Sequence, residues 1–158
     1  LIYKLLEMKF EDLDINSRVW VYQSDRPFLP SETEVIEKEI ALFVNEWNAH
    51  GNELTAGGKI EENHFLILAV DPQYGSASGC SIDSSVRFVK SLGEKLGVNF
   101  FNRLKVLTIN EQGEPEYVPY GKLRDFPQRL MFNTLVDTRQ DFEKAFKIPV
   151  SRYLDSLK

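Results

Sequence analysis

The stretch Tyr74-Gly-Ser-Ala-Ser-Gly-Cys80-Ser-Ile-Asp83 sets the only cysteine of the chain among small residues. It follows the apolar run Phe65-Leu-Ile-Leu-Ala-Val70 and precedes a helical pattern. A thiol at a helix N-terminus feels the positive end of the dipole, which lowers its pKa and favours the thiolate. Gly75 and Gly79 permit tight turns and close approach of a ligand, and helix amides beyond Cys80 would face a bound anion. Two chemistries follow. In one, Cys80 is a nucleophile or redox-sensitive thiol. In the other, backbone amides form an anion or nucleotide pocket, with hydroxyls from Ser76, Ser78, Ser81, Ser84 and Ser85. Asp71, at the carboxyl end of the apolar strand, and His50 and His64, the only histidines, are the groups available to assist.

The bland alternative is a tight strand-to-helix turn, in which Cys80 is a small buried hydrophobe and Ser81 or Asp83 caps the helix. It is the simplest reading of the loop. A tyrosine-phosphatase cradle is excluded, because six residues, Ser81 to Val86, separate Cys80 from Arg87 where that design has five. A metal site is not expected, since Cys80, His50, His64, Asp71 and Asp83 show no ligand spacing of the C-x-x-C or H-E-x-x-H kind.

The elements that position this loop are read from periodicity. Arg18-Val-Trp-Val-Tyr-Gln23 alternates as a first strand. Ser31-Glu-Thr-Glu34 has the form of a capping box, and Ile36, Ile40, Phe43 and Trp47 continue from it as a helical stripe ending at His50-Gly51. Leu54 to Asp71 reads as two strands, with the turn at either Gly57-Gly58 or Glu62-Asn63. Ile82, Val86, Val89, Leu92 and Leu96 mark a second helix stopped by Gly97. Leu104 to Ile109 is a strand, and Glu116 to Tyr120 pairs back as an edge strand because of Pro119. Arg129 to Val136 fits a strand or a short helix. Thr138 caps a helix through Phe146, and Ser151 to Lys158 is a short tail. The order predicts an α+β protein with a ferredoxin-like β-α-β-β-α-β core, an added hairpin strand and a C-terminal helix. Residues 8–158 form a single domain, and residues 1–7, ahead of Met8, read as an N-terminal extension.

With 158 residues, 42% hydrophobic and 27% charged, the chain can bury a core without staples. A net charge of −5 makes nucleic acid an unlikely partner, and no apolar run reaches the roughly 20 residues of a membrane span. A single cysteine leaves no internal disulfide and points to the cytoplasm.

Arg18-Val-Trp-Val-Tyr-Gln, Trp47-Asn-Ala-His50, Phe65-Leu-Ile-Leu-Ala-Val-Asp71, Ser78-Gly-Cys-Ser-Ile-Asp83-Ser-Ser-Val and Phe132-Asn-Thr-Leu-Val136 resemble a family of short bacterial proteins. The resemblance runs from about Met8 to the C-terminus, and its members commonly carry the label ABC transporter ATPase. Chemistry speaks against that activity here. ATP hydrolysis of this type needs a Gly-x-x-x-x-Gly-Lys-Ser/Thr loop, and Gly57-Gly58-Lys59-Ile60 has neither its spacing nor its hydroxyl. The expected function is therefore a binding or interaction module for a small molecule or a protein, with no cofactor and with a homodimer allowed. Its site residues are Ser76, Ser78, Gly79, Ser81, Asp83, Asp71 and His50. The alternative is a thiol-dependent enzyme with Cys80 as its catalytic residue.

Overall fold

The computed structural model describes residues 10–49, 55–71 and 79–158. A 3-10 turn at Phe10–Asp12 precedes β1 (Arg18–Gln23), α1 (Pro30–Ala49), β2 (Thr55–Glu61), β3 (Phe65–Asp71) and α2 (Gly79–Leu96). There follow β4 (Lys105–Ile109), β5 (Pro115–Pro119), a 3-10 segment at Tyr120–Asp125, β6 (Leu130–Phe132), α3 (Arg139–Ala145), β7 (Lys147–Pro149) and α4 (Val150–Ser156). The fold is α+β. Among the described residues no helix is long and apolar enough to cross a membrane.

The first sheet has the order β1-β3-β2 and is antiparallel throughout. Period-two alternation divides its side chains between two cores. Trp20, Tyr22, Leu66, Leu68 and Val70 face Ile36, Ile40, Val44 and Trp47 of α1 and Val89 and Leu92 of α2. Val19, Val21, Phe65, Ile67 and Ala69 face the other way, against Leu107, Phe132, Phe142 and Phe146. All seven residues of β3 are buried for this reason.

The strand order and the two long helices agree with the expected split βαβ, but β4 does not complete a four-stranded ferredoxin-like sheet. It pairs instead in a second antiparallel sheet of order β5-β4-β6-β7. The physical cause is the second apolar face of the first sheet. A ferredoxin-like sheet covered by helices on one side would leave Val19, Val21, Phe65 and Ile67 to water, and a second layer removes them from it.

Local chemistry sets the element ends. Helix α1 is not closed by the expected Ser31–Glu34 box: the helix begins one residue earlier, at Pro30, a favoured first position. Glu32 reaches back to accept from Leu29 N at 2.8 Å. The same carboxylate takes both Arg26 guanidinium nitrogens, at 2.7 and 2.8 Å, and Arg26 Nη2 also donates to Leu96 O at 2.8 Å. One ion pair thus ties the start of α1 to the end of α2. The Arg26 hydrogen bond, then the Leu29 amide, holds the Glu32 carboxyl down to about 2. A carboxyl lowered on folding stabilises the native state above its unfolded value of about 4.3 and loses that contribution as pH falls toward 2. Between pH 5 and 2, the urea midpoint of the wild type is therefore expected to fall more steeply than that of Glu32→Gln.

The hairpin turn lies at Glu62 and Asn63, both left-handed with φ of 54° and 55°, and Gly57 and Gly58 are strand residues of β2. Lys59, beside them, pairs with Glu11 and Glu61 and covers the rings of Phe10 and Phe142. Thr138 caps α3 as expected, its hydroxyl accepting from Asp141 N at 3.0 Å. Thr138→Ala is expected to lower unfolding free energy by about 1 kcal/mol in a urea titration. The expected C-terminal tail is the helix α4, which buries Tyr153 while Leu157 stays exposed.

Candidate functional site

Helix α2 begins at Gly79, three residues ahead of the expected start at Ile82, so Gly79, Cys80 and Ser81 all lie in its first turn. Neither Ser81 nor Asp83 is therefore its N-cap, and Asp83 is exposed on the helix. Ser85 is fully buried and donates to Ile82 O at 2.6 Å, while Ser84 Oγ accepts from Arg87. Asp71 is buried at the end of β3, opposite Thr55. Ser76, Ser78 and His50 lie outside the described residues. His64 stands at the other end of β3, roughly 20 Å from Asp71 at the rise of a strand. Its Nδ1 donates to Glu62 O at 2.7 Å and its ring meets Tyr117 edge-on. It belongs to the hairpin and does not assist Asp71. Among the described residues no group of His, Cys, Asp and Glu could hold a metal ion.

A different concavity has the features of a binding site. Where the first sheet meets the second, a cleft of about 230 Å³ opens between the end of β1, the connection from α2 to β4, and the segment after β6. Gln23 spans this seam. Its Nε2 donates to Lys105 O at 2.9 Å and its Oε1 accepts from Leu107 N at 3.1 Å, so a buried side-chain amide replaces a strand pairing between β1 and β4. Val21, Tyr22, Phe100, Met131 and Phe132 supply apolar walls. Tyr153 meets Tyr120 oxygen to oxygen at 2.9 Å, and burial, followed by that bond, pushes its phenol up to about 12. Tyr22 is raised by burial, opposed by the Ser85 hydroxyl and the charge of Arg103.

The charged groups of the cleft are cations. Arg103 and Lys105 line it, and among the described residues no Asp or Glu does. Among the described residues neither cation forms an ion pair, a condition shared with other exposed cations such as Arg87 and Lys90, and what sets the two apart is the cleft they line together. Asn102 and Asn133 use their side-chain oxygens on Leu104 N and Leu135 N, both at 3.0 Å. Each keeps its NH₂ donors. Two exposed apolar residues, Tyr120 and Leu135, line the cleft as well. A cavity that joins two cations and free amide donors to apolar walls is complementary to an organic anion.

A second cavity of about 170 Å³ lies across Gln23 and Lys105, lined by Ser24, Asp25 and Tyr117. The Tyr117 hydroxyl donates to Ser24 O at 2.6 Å, and burial together with Asp25 holds its pKa well above the ordinary value. Asp25 gives this neighbour a mixed charge that the main cleft lacks.

The sequence reading did not select Arg103 and Lys105. The available signal was their nearness: two basic residues two apart at the entry to β4 both reach the one cleft. Charge alone could not separate them from solvated surface residues. No family model, curated protein or solved structure matches the chain.

Proposed function

We propose that the protein is a binding module whose ligand is a small organic anion held in the seam cleft between the two sheets. The observation that carries this reading is the pair Arg103 and Lys105, two cations that, among the described residues, have no carboxylate partner and line one partly apolar cavity in a chain of net charge −5. The amides of Asn102 and Asn133 add neutral donors, and Tyr120 and Leu135, exposed where they line the cleft, offer apolar surface for the body of the ligand. Cytoplasmic residence belongs to the same reading and rests on the single cysteine. The location of Lys59 within β2, engaged with two glutamates, supports the doubt about ATP hydrolysis.

The test uses 1-anilinonaphthalene-8-sulfonate, an aromatic sulfonate whose fluorescence rises on leaving water. Native protein is expected to bind one equivalent. The combined Arg103→Ala and Lys105→Ala changes should weaken binding about tenfold or more while the melting temperature holds, since a charge-assisted hydrogen bond contributes roughly 1.5–3 kcal/mol. Cys80→Ala should leave the affinity unchanged. Equal binding by the double variant, or loss of binding with Cys80→Ala, would move the site away from the seam.

A further inference from the structure

Antiparallel strands turn the N–H and C=O of alternate residues toward the partner and away from it. In β1, Ser24 N, just past its end, donates to His64 O at 2.7 Å on the β3 side, while Val19 N donates to Asp137 O at 2.9 Å on the opposite side. By that alternation Val21 and Gln23 direct their backbone groups away from β3 as well. The edge is closed at its start, where Arg18 bridges Thr138. Among the described residues no strand pairs with it from Val21 to Gln23, and these are the β1 residues that line the seam cleft. The next strand in the chain, β4, would take this place in a ferredoxin-like sheet, but it pairs in the second sheet and, among the described residues, hydrogen-bonds to β1 only through the Gln23 side chain.

An unpaired strand edge is a template for another extended chain. Three residues of edge span about 10 Å, enough for the last two or three residues of a peptide and too short for a long strand. Lys105 stands at the Gln23 end, where Gln23 Nε2 meets its carbonyl oxygen, and Arg103 lines the same cleft with its charge acting on the adjacent Tyr22. We infer that the cleft receives the carboxyl-terminal end of an extended polypeptide, which adds as a short strand to β1 with its carboxylate facing Arg103 and Lys105. This rests on the anion-binding reading of the cleft and names the class of anion. Backbone hydrogen bonds to Val21 hold the chain in register, the two cations select a free carboxylate, and an apolar side chain packs against the exposed Tyr120 and Leu135 of the cleft.

The probe is acetyl-Thr-Val-Thr-Val with a free carboxylate, compared with its carboxamide and with a form N-methylated at the third residue. Binding is followed by amide hydrogen exchange and ¹H–¹⁵N spectra of the unaltered protein. At saturating, millimolar peptide the Val21 amide is expected to shift downfield and exchange about tenfold more slowly. The carboxamide and the N-methyl form should each bind about tenfold more weakly. If the aromatic sulfonate binds at the seam but the tetrapeptide does not, or binds without protecting Val21, the strand-addition inference fails and the anion site stands. Equal affinity for acid and carboxamide also overturns it. Concentration-dependent protection of Val21 in the protein alone would assign the edge to a second copy of the chain. If neither probe binds, the anion site itself is lost.

Discussion

Gly58→Val is expected to destabilise the fold by about 3 kcal/mol or more, against the direction of intrinsic strand preference. Valine is favoured in strands by up to about 1 kcal/mol, so propensity alone gives the opposite sign. Packing decides the outcome. A Cβ at this position would sit 2.7 Å from Ile40 Cγ2, 3.0 Å from Leu68 Cδ2 and 3.1 Å from Ile67 O. The side-chain methyl groups can give a little, but the carbonyl belongs to β3 at the centre of the sheet. Both Ile40 and Leu68 are essentially inaccessible to solvent, so neither has free space to move into. Inserted methylenes in a packed core typically cost about 1–3 kcal/mol, and the branched chain adds two more carbons beyond the first clash. Gly58→Ala should fall within that range. Ile40→Ala, which removes the clashing Cγ2 methyl, should cost less in the Gly58→Ala background than in the wild type, and urea titrations of the four proteins in this cycle give the coupling directly. Additive effects would show that α1 does not rest on β2 at this glycine.

Gln23→Leu is expected to cost about 2–4 kcal/mol, although leucine is a similar size and the site is buried. The substitution keeps the volume and removes both hydrogen bonds to β4. Lys105 O and Leu107 N then lose their side-chain partner in a seam where Leu107 is almost fully buried. Each buried backbone group left unsatisfied costs about 1–3 kcal/mol. Gln23→Glu separates charge from connectivity, because its carboxylate can still accept from Leu107 N but cannot donate to Lys105 O. It should unfold at a urea concentration between those of the wild type and Gln23→Leu. A neutral result for leucine would mean that apolar packing alone holds the two sheets together.

The parts of this fold that were legible in the sequence are those set by contacts within one element. The stripe Ile36, Ile40, Phe43 and Trp47 and the alternation of Arg18 to Gln23 state their buried faces directly. The hairpin was half legible. Gly57-Gly58 looked as good a turn as Glu62-Asn63, because glycine serves equally for a left-handed turn and for close approach of a neighbour. Here it serves the approach of α1, and Glu62 and Asn63 take the left-handed positions. The home of β4 was hidden, since its partners β5 and β6 compete with β1 across intervening segments. The continuous apolar run Phe65 to Val70 was the clue, because a strand buried on both faces requires a second covering layer.

The site was less legible than the fold. A small-residue loop around a lone cysteine draws attention through its composition. Arg103 and Lys105 are distinguished by the cleft they line together, and spacing in sequence cannot show that. The conformation of Gln23 likewise depends on β4 arriving 82 residues later to meet its amide.

A ¹H–¹⁵N titration with 1-anilinonaphthalene-8-sulfonate compares the two locations in one measurement. Binding at the seam predicts the largest amide shifts at Val21, Gln23, Arg103 and Asn133, with Gly79, Cys80 and Ser81 unmoved. Shifts concentrated in the first turn of α2, with the seam amides unchanged, would contradict the account and return the site to the cysteine loop.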